Sequence, residues 1–320
     1  MDNIVNLVFI LDDGYAMPTG VALYSLKENR LNNVLYNIYI IYSEINDYNK
    51  QKLLKLRDDN FEIILTKTNQ IANFHGLSKN HTKVTTTSLY KFLIPEILQN
   101  IDKVIYIDGD VIIQDDLVNL FEVELGNKYA AVVKDGPRKK ILNGGKKHRF
   151  SVKPTYFNSG VMLLNLKMMR QERITEKLIE YRISGYNYFM DQDAFNIILE
   201  NNVLFLPYFY NLLLHILTPI WKLNTPKILS EFYDIKPIDN IDQYFEKAKI
   251  IHYTFAKPWR YYDIPQSEKW LSYFKKSTFS DVILNRKSYL INYHNSLSYK
   301  IGQVITYIPK KVKLLIKRKK

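Results

Sequence analysis

The chain has 320 residues, 47% of them hydrophobic and none of them cysteine. That length and apolar content suffice to bury a full core and exclude a disordered protein; the missing thiols exclude disulfides, thiolate zinc sites and cysteine nucleophiles, leaving histidine and carboxylates for any metal work. The formal net charge of +13 belongs mainly to one end, since the ten lysines and arginines beyond Asp281 face no acid there and leave only +3 for everything before.

The amino end, Met1-Asp2-Asn3-Ile4, has no basic region of the kind that opens a signal peptide, and its apolar run stops at Asp12. That run is too short to span a membrane, so residence in the cytoplasm is expected. Asn3 to Leu11 (NIVNLVFIL) reads as a buried strand, and Met17 to Arg30 has helical apolar spacing with Pro18 near its start. Tyr36 to Tyr42 is a second strand, Asp47 to Asp58 an amphipathic helix and Phe61 to Thr66 a third strand, a βαβαβ run of the doubly wound kind. Thr87 to Leu98 places Leu89, Phe92, Leu93 and Leu98 at core spacing, with Pro95 marking a kink or an early end. Lys103 to Ile107 follows as a strand.

Further on, Tyr129 to Val133 and Gly160 to Leu166 read as strands, Met168 to Tyr181 and Gln192 to Glu200 as helices, and Lys249 to Tyr253 as a short late strand carrying His252. No fixed-period repeat and no Gly, Ser or Pro-rich linker divides the body. The stretch Arg138 to Arg149 (RKKILNGGKKHR) is a loop, either a solvated surface or a basic wall that meets an anionic acceptor.

The chemistry concentrates at Val104-Ile105-Tyr106-Ile107-Asp108-Gly109-Asp110, an apolar strand ending in two carboxylates around a glycine. In extended backbone, side chains two positions apart point to the same side, so Asp108 and Asp110 can face one ion. Gly109 leaves room for backbone or ligand to come close. Ligands of open α/β sheets bind beyond the carboxyl ends of strands, where this pair falls. The late segment Ile250-Ile251-His252-Tyr253-Thr254-Phe255-Ala256-Lys257-Pro258-Trp259 adds an imidazole as third ligand and a lysine for a diphosphate. Two carboxylates and an imidazole favour Mn²⁺ over Mg²⁺, which prefers all-oxygen surroundings.

The DGD strand end, HYTFAKPW, the amino-terminal FILDDGY, the central YFNSGVMLLNL and the MDQD run occur in order over roughly residues 4 to 260. Together they resemble glycosyltransferase family 8, which holds bacterial lipopolysaccharide galactosyl- and glucosyltransferases and glycogenin. The resemblance implies an α/β GT-A fold, a Rossmann-like mixed sheet flanked by helices, with a UDP-sugar donor, Mn²⁺ and retention of anomeric configuration. It implies that Asp108, Asp110 and His252 hold the metal and that Lys257 contacts the diphosphate. Ile10, Leu11, Asp12, Gly14 and Tyr15 fall where the family binds uracil and ribose, Asp12 as polar contact and Tyr15 as stacking ring. Lys91, Gly109, Asp135, Asn158 and Ser159 fall along the donor, and Asp191 and Gln192 are the candidate catalytic pair. An amide is a poor nucleophile, so same-face attack with Gln192 stabilising the cationic sugar is the expected route.

Three departures stand out. Gly14 replaces a polar residue of some relatives, Lys91 replaces an arginine with loss of its bidentate fork, and Phe255 stands in a shortened loop where the family usually has glycine. Outside the family context, Asp12-Asp13-Gly14 reads equally as a turn and Asp191 as a helix cap.

Residues 1–265 are expected to form the catalytic domain and residues 266–320 a helical, basic, membrane-associating region. From Ile301 the tail interleaves apolar residues with lysines as a surface-lying amphipathic helix does, broken at Pro309. An anionic membrane, peripheral attachment at its inner face and a saccharide or glycolipid acceptor follow as expected partners. The alternatives are a nucleic-acid binder using the basic tail, against which the charge segregation and the lack of a recognition motif count, a nucleotidyltransferase, and a catalytically weak family relative.

Overall fold

The computed structural model describes residues 3–68, 86–136, 142–143, 146–147, 155–184, 190–217, 226–238 and 240–294. The amphipathic tail from Ile301 and most of the basic stretch 138–149 lie outside the described residues.

The first part alternates strand and helix as the apolar spacing predicts: β1 (Asn3–Leu11), α1 (Ala16–Asn29), β2 (Val34–Tyr42), α2 (Asp47–Leu54) and β3 (Phe61–Lys67). A 3₁₀ segment (Thr86–Leu93) and the one-turn α3 (Ile94–Ile97) lead to β4 (Lys103–Ile107), β5 (Val111–Ile113) and α4 (Val118–Phe121). Pro95 starts that turn rather than ending a helix, because a residue without an N–H loses nothing in a first turn. Next come β6 (Ala130–Lys134), the paired short strands β7 (Leu142–Asn143) and β8 (Lys146–Lys147), β9 (Phe157–Asn165), α5 (Leu166–Gln171), α6 (Ile174–Ser184) and α7 (Met190–Ile198). The single helix expected over Met168 to Tyr181 is two, because Arg173 takes a φ of 53°, a left-handed conformation that a right-handed helix cannot carry through. The remainder is β10 (Val203–Phe205), β11 (Leu212–Leu213), α8 (Leu214–Leu217), α9 (Pro226–Tyr233), α10 (Asp242–Lys247), β12 (Ile250–His252), α11 (Ser267–Lys276) and α12 (Tyr289–His294).

Among the described residues a seven-stranded sheet runs in the order β10-β6-β9-β4-β1-β2-β3. β1 is parallel to both β2 and β4, and β9 is antiparallel to both β4 and β6, so the sheet is mixed. The chain leaves β1 toward β2 and β3 on one side and returns to β4 on the other. This reversal opens a crevice beyond the carboxyl ends of β1 and β4, the place where open α/β sheets take their ligands. A second, three-stranded sheet, β11-β12-β5, lies over that crevice and delivers the late histidine to it.

Strand residues alternate between two buried layers, as a pleated backbone requires. Ile105 and Ile107 join one cluster with Leu7, Phe9 and α1, whereas Val104 and Tyr106 join another with Phe92, Phe195 and Leu178. Trp270, Phe274 and Phe279 belong to the first of these clusters. A Cβ on Gly20 would lie 2.2 Å from Phe279, so α1 accepts that ring only with glycine at 20. Residues on both sides of position 265 thus share one buried cluster. Among the described residues no helix is long and apolar enough to cross a membrane.

Candidate active site

Asp108 and Asp110 lie just past the end of β4. β4 stops at Ile107, and the two acids occupy the bend that passes the chain from the large sheet to β5 of the small one. They stand where the chain passes from one sheet to the other. The space beside Gly109 is filled by the protein itself: a Cβ would lie 2.3 Å from Thr19 Oγ1. Antiparallel pairing sets His252 opposite Val111, and Tyr253 N donates to Asp110 O at 2.9 Å, which locks the late strand onto the acidic bend.

The imidazole reaches both acids. His252 Nε2 lies 3.3 Å from Asp110 Oδ1 and 3.7 Å from Asp108 Oδ2. One ligand atom from each of Asp108, Asp110 and His252 falls within a 4.8 Å set. The other ring nitrogen, Nδ1, lies 3.0 Å from Asn211 Oδ1. An amide oxygen can only accept, so Nδ1 carries a proton, and Nε2, on the side of the acids, is the ring atom left to ligate a metal. Gly160 completes the arrangement by absence: a Cβ there would lie 2.2 Å from His252 Cε1 and 2.7 Å from Asp108 Oδ2. Two oxygen donors, one nitrogen donor and a side chain-free wall fit a divalent cation.

Two ammonium groups flank the cluster. Lys257 donates to the Asp110 carboxylate and, at 2.8 Å, to Tyr253 O. Burial alone would raise the Asp110 pKa, but Lys257 and His252 outweigh it and hold the carboxyl well below its ordinary range. Lys91, almost fully buried, bridges Asp108 at 3.1 Å and Asp191 at 2.9 Å. Burial would lower its pKa, and the two carboxylates raise it instead, so it stays charged. The missing guanidinium fork is thus replaced by one ammonium shared between two acids. Tyr106, whose phenol is pushed up by burial and then by Asp108, remains a donor to Asp108 Oδ1.

From the metal-type cluster a hydrogen-bond chain runs into the pocket. Asn211 Nδ2 donates to Asn158 Oδ1 at 2.9 Å, Asn158 Nδ2 to Gln192 Oε1 at 2.9 Å, and Gln192 Nε2 to Asp135 Oδ2 at 3.1 Å. Ser159 Oγ donates to Asp191 Oδ2 at 2.9 Å. Asp191 lies inside the first turn of α7 and is not its cap, so its carboxylate serves Lys91 and Ser159.

At the end of β1 the structure bears out the turn. Ile10 and Leu11 are buried in the strand, Asp12 caps a 3₁₀ turn (Asp13–Tyr15) by accepting from Tyr15 N at 3.2 Å, and Gly14 sits in that turn. Tyr15, 36% exposed, meets the edge of Trp259 with ring centroids 6.1 Å apart. Phe255 is 68% exposed and has a φ of 80°, a conformation that favours glycine.

Of the sixteen residues singled out from the sequence, these contacts join Asp108, Asp110, His252, Lys257, Lys91, Asp191, Ser159, Asn158, Gln192 and Asp135, while Asn211, Gly160 and Tyr106 were missed. Asn211 lies 41 positions from His252 in an otherwise apolar run, with nothing local to mark it. Gly160 reads as the first residue of a strand, and Tyr106 as part of an apolar one.

Comparison with known proteins agrees with this geometry. A lipopolysaccharide 1,2-glucosyltransferase of Escherichia coli strain K12 is 30% identical over 273 residues, 83% of this chain and 76% of its own. General stress protein A of Bacillus subtilis strain 168 is 28% identical over 272 residues, 81% of this chain and 88% of its own. Among solved structures, the galactosyltransferase LgtC with donor and acceptor sugar analogues matches with a TM-score of 0.63 at 21% identity, covering 88% of this chain and 98% of that one. The apo bifunctional glycosyltransferase WbbM matches with a TM-score of 0.68 at 22% identity; 87% of this chain is covered, spanning 50% of that chain. These neighbours share the GT-A architecture of a mixed central sheet between helices. Residues 6–263 match the profile of glycosyl transferase family 8, and with four-fifths of the chain so covered the protein belongs to that family and is a glycosyltransferase.

Proposed function

We propose that the protein transfers a hexose, glucose or galactose, from a UDP-sugar to a saccharide acceptor with retention of configuration. The observation that carries this reading is the convergence of Asp108, Asp110 and His252 beside Lys257. These three residues would hold Mn²⁺, with Mg²⁺ as second choice, and the ion would supply Lewis-acid stabilisation to the diphosphate leaving group. Lys257 lies on Asp110 and is long and flexible enough to turn its ammonium to a phosphate oxygen, where negative charge grows as the glycosidic bond breaks. Tyr15 and Asp12 would face the uridine at the end of β1.

Neither candidate nucleophile is poised to attack. Asp191 is neutralised by Lys91, and the Gln192 amide is held between Asn158 and Asp135. Same-face attack is therefore favoured, the acceptor hydroxyl entering on the side from which UDP departs while the Gln192 carbonyl oxygen steadies the positive sugar. Trapping a covalent glycosyl-enzyme on either residue would overturn this step.

The acceptor is proposed to be lipopolysaccharide core or another lipid-linked glycan, by analogy with the lipopolysaccharide 1,2-glucosyltransferase of Escherichia coli. The ten positive charges after Asp281 support peripheral attachment to an anionic inner membrane face, each worth roughly 1 kcal/mol near such a surface. Deletion of residues 301–320 should abolish sedimentation with anionic vesicles; unchanged binding refutes the attachment. For the activity itself, the test is UDP release with Mn²⁺ across a panel of UDP-sugars, with Asp110→Asn as control. Release from one UDP-hexose that falls roughly 100-fold or more in the control is expected; no release from any donor, or an unaffected control, refutes the reading.

A further inference from the structure

A second histidine reaches from the loop after His252 to Asp135 by a route distinct from the Asn211–Asn158–Gln192 chain. His215 lies in α8, directly after β11, with its side chain 20% exposed. Its backbone N–H donates to Thr254 Oγ1 at 3.2 Å, and its ring Nδ1 lies 2.7 Å from the same oxygen. Thr254 belongs to the short loop between His252 and Lys257. On the far side of the ring, Nε2 lies 3.9 Å from Asp135 Oδ1. Asp135 is 1% exposed and uses its other oxygen to accept from Gln192.

The two contacts select one tautomer. Thr254 Oγ1 accepts the backbone N–H and has a single hydrogen to give; given to Nδ1, it leaves the ring proton on Nε2, facing the Asp135 carboxylate. The other tautomer would turn a nitrogen lone pair toward a buried anion. At 3.9 Å the pair is too long for a hydrogen bond, and a shift of about 1 Å closes it.

We propose that His215 is a positioning residue that sets the Asp135 carboxylate against the donor hexose and ties its placement to the loop carrying His252 and Lys257. This rests on the reading of the crevice as a UDP-hexose site. Loop movement at the diphosphate end is passed through Thr254 and the imidazole to the sugar end, so hexose binding depends on His215 whereas UDP binding does not.

Three variants divide the contacts. His215→Ala loses both. In His215→Gln the amide nitrogen extends about as far as Nε2 and keeps a donor toward Asp135, whereas in His215→Asn it extends only as far as Nδ1 and keeps the Thr254 side alone. The readouts are KM for the UDP-hexose in donor hydrolysis, the inhibition constant of UDP, and Tm. Expected are KM values raised about tenfold in His215→Ala and His215→Asn, recovery to within about threefold in His215→Gln, and UDP inhibition constant to within about twofold throughout. Equal impairment of the Gln and Asn variants overturns the proposal, as does UDP inhibition weakening in step with donor KM or an effect confined to acceptor KM. An unmodified protein that hydrolyses no UDP-sugar sinks the underlying reading as well; an active enzyme whose variants behave alike sinks only the role of His215.

Discussion

Replacing Gly160 by alanine adds one methyl group and removes no ligand. That carbon would lie 2.2 Å from His252 Cε1, 2.7 Å from Asp108 Oδ2 and 2.9 Å from Asn158 Oδ1. Ordinary carbon contacts are about 3.5 Å or longer, so the imidazole would have to retreat by about an ångström or more. It has nowhere to go: His252 is 3% exposed, its Nδ1 is held by Asn211, and its backbone is paired with β5. Asp108, with a side chain 28% exposed, is the easier group to push aside, and its departure opens the cluster. Overpacking of this kind costs about 1–3 kcal/mol of stability, at about 2–4 °C of Tm per kcal/mol. Misplaced ligands should weaken the cation about 10- to 100-fold, as loss of an orienting partner does. The assay is UDP release as a function of Mn²⁺ concentration, alongside thermal unfolding. A variant that unfolds only slightly earlier yet needs far more Mn²⁺ supports the argument; unchanged Mn²⁺ dependence would mean that Gly160 is not what keeps the three ligands together.

Phe255→Gly should raise Tm, since relief of left-handed strain, about 1–2 kcal/mol, exceeds the entropy lost by glycine, about 0.5–1 kcal/mol; a lower Tm would mean that the ring contributes more than the strain removes. Lys91→Met leaves Asp108 and Asp191 without their shared ammonium, and urea unfolding should report a loss of about 3–5 kcal/mol; near-native stability refutes the assigned pairing. Asp263 receives Tyr289 N, Leu290 N at 3.1 Å and the Ser288 hydroxyl, tying α12 to the body. Burial alone would raise its pKa, but these three donors lower it below the ordinary 3.8. A depressed carboxyl contributes stability in full above that value and loses it as pH falls through the lowered one. Acid-resistant proteolysis should therefore release the segment that begins at Ser288 and carries α12 more readily as pH drops below about 4, and Asp263→Asn, at a cost of about 1 kcal/mol, should show faster release already at pH 7. Release independent of both pH and substitution contradicts the cap.

Local pattern made much of this molecule legible. Nine consecutive residues of β1 are apolar apart from its asparagines, and such a run beside helical spacing from Met17 permits little except a strand followed by a crossover helix. Asp108, Asp110 and His252 were readable because each stands at the end of an apolar strand, where a carboxylate or imidazole contributes nothing to a core. Asn211 and His215 were not, since their roles come from partners dozens of positions away, and their neighbours Leu212, Leu213 and Leu214 signal burial only. The break at Arg173 and the seat of Phe279 on Gly20 were equally silent, one being a single backbone torsion and the other a contact between distant turns.

By itself the sequence determined the opening alternation of strands and helices through β4, the pairing of acids with a late histidine, and the family, because these depend on residue type at fixed short spacing. Only the tertiary structure decided that the acids meet through a bend between two sheets, that His252 presents Nε2 because Asn211 accepts from Nδ1, and that Lys91 serves two carboxylates at once. Those facts depend on distances between segments far apart in the chain, and such distances are set by how the two sheets and the helices around them fill space together.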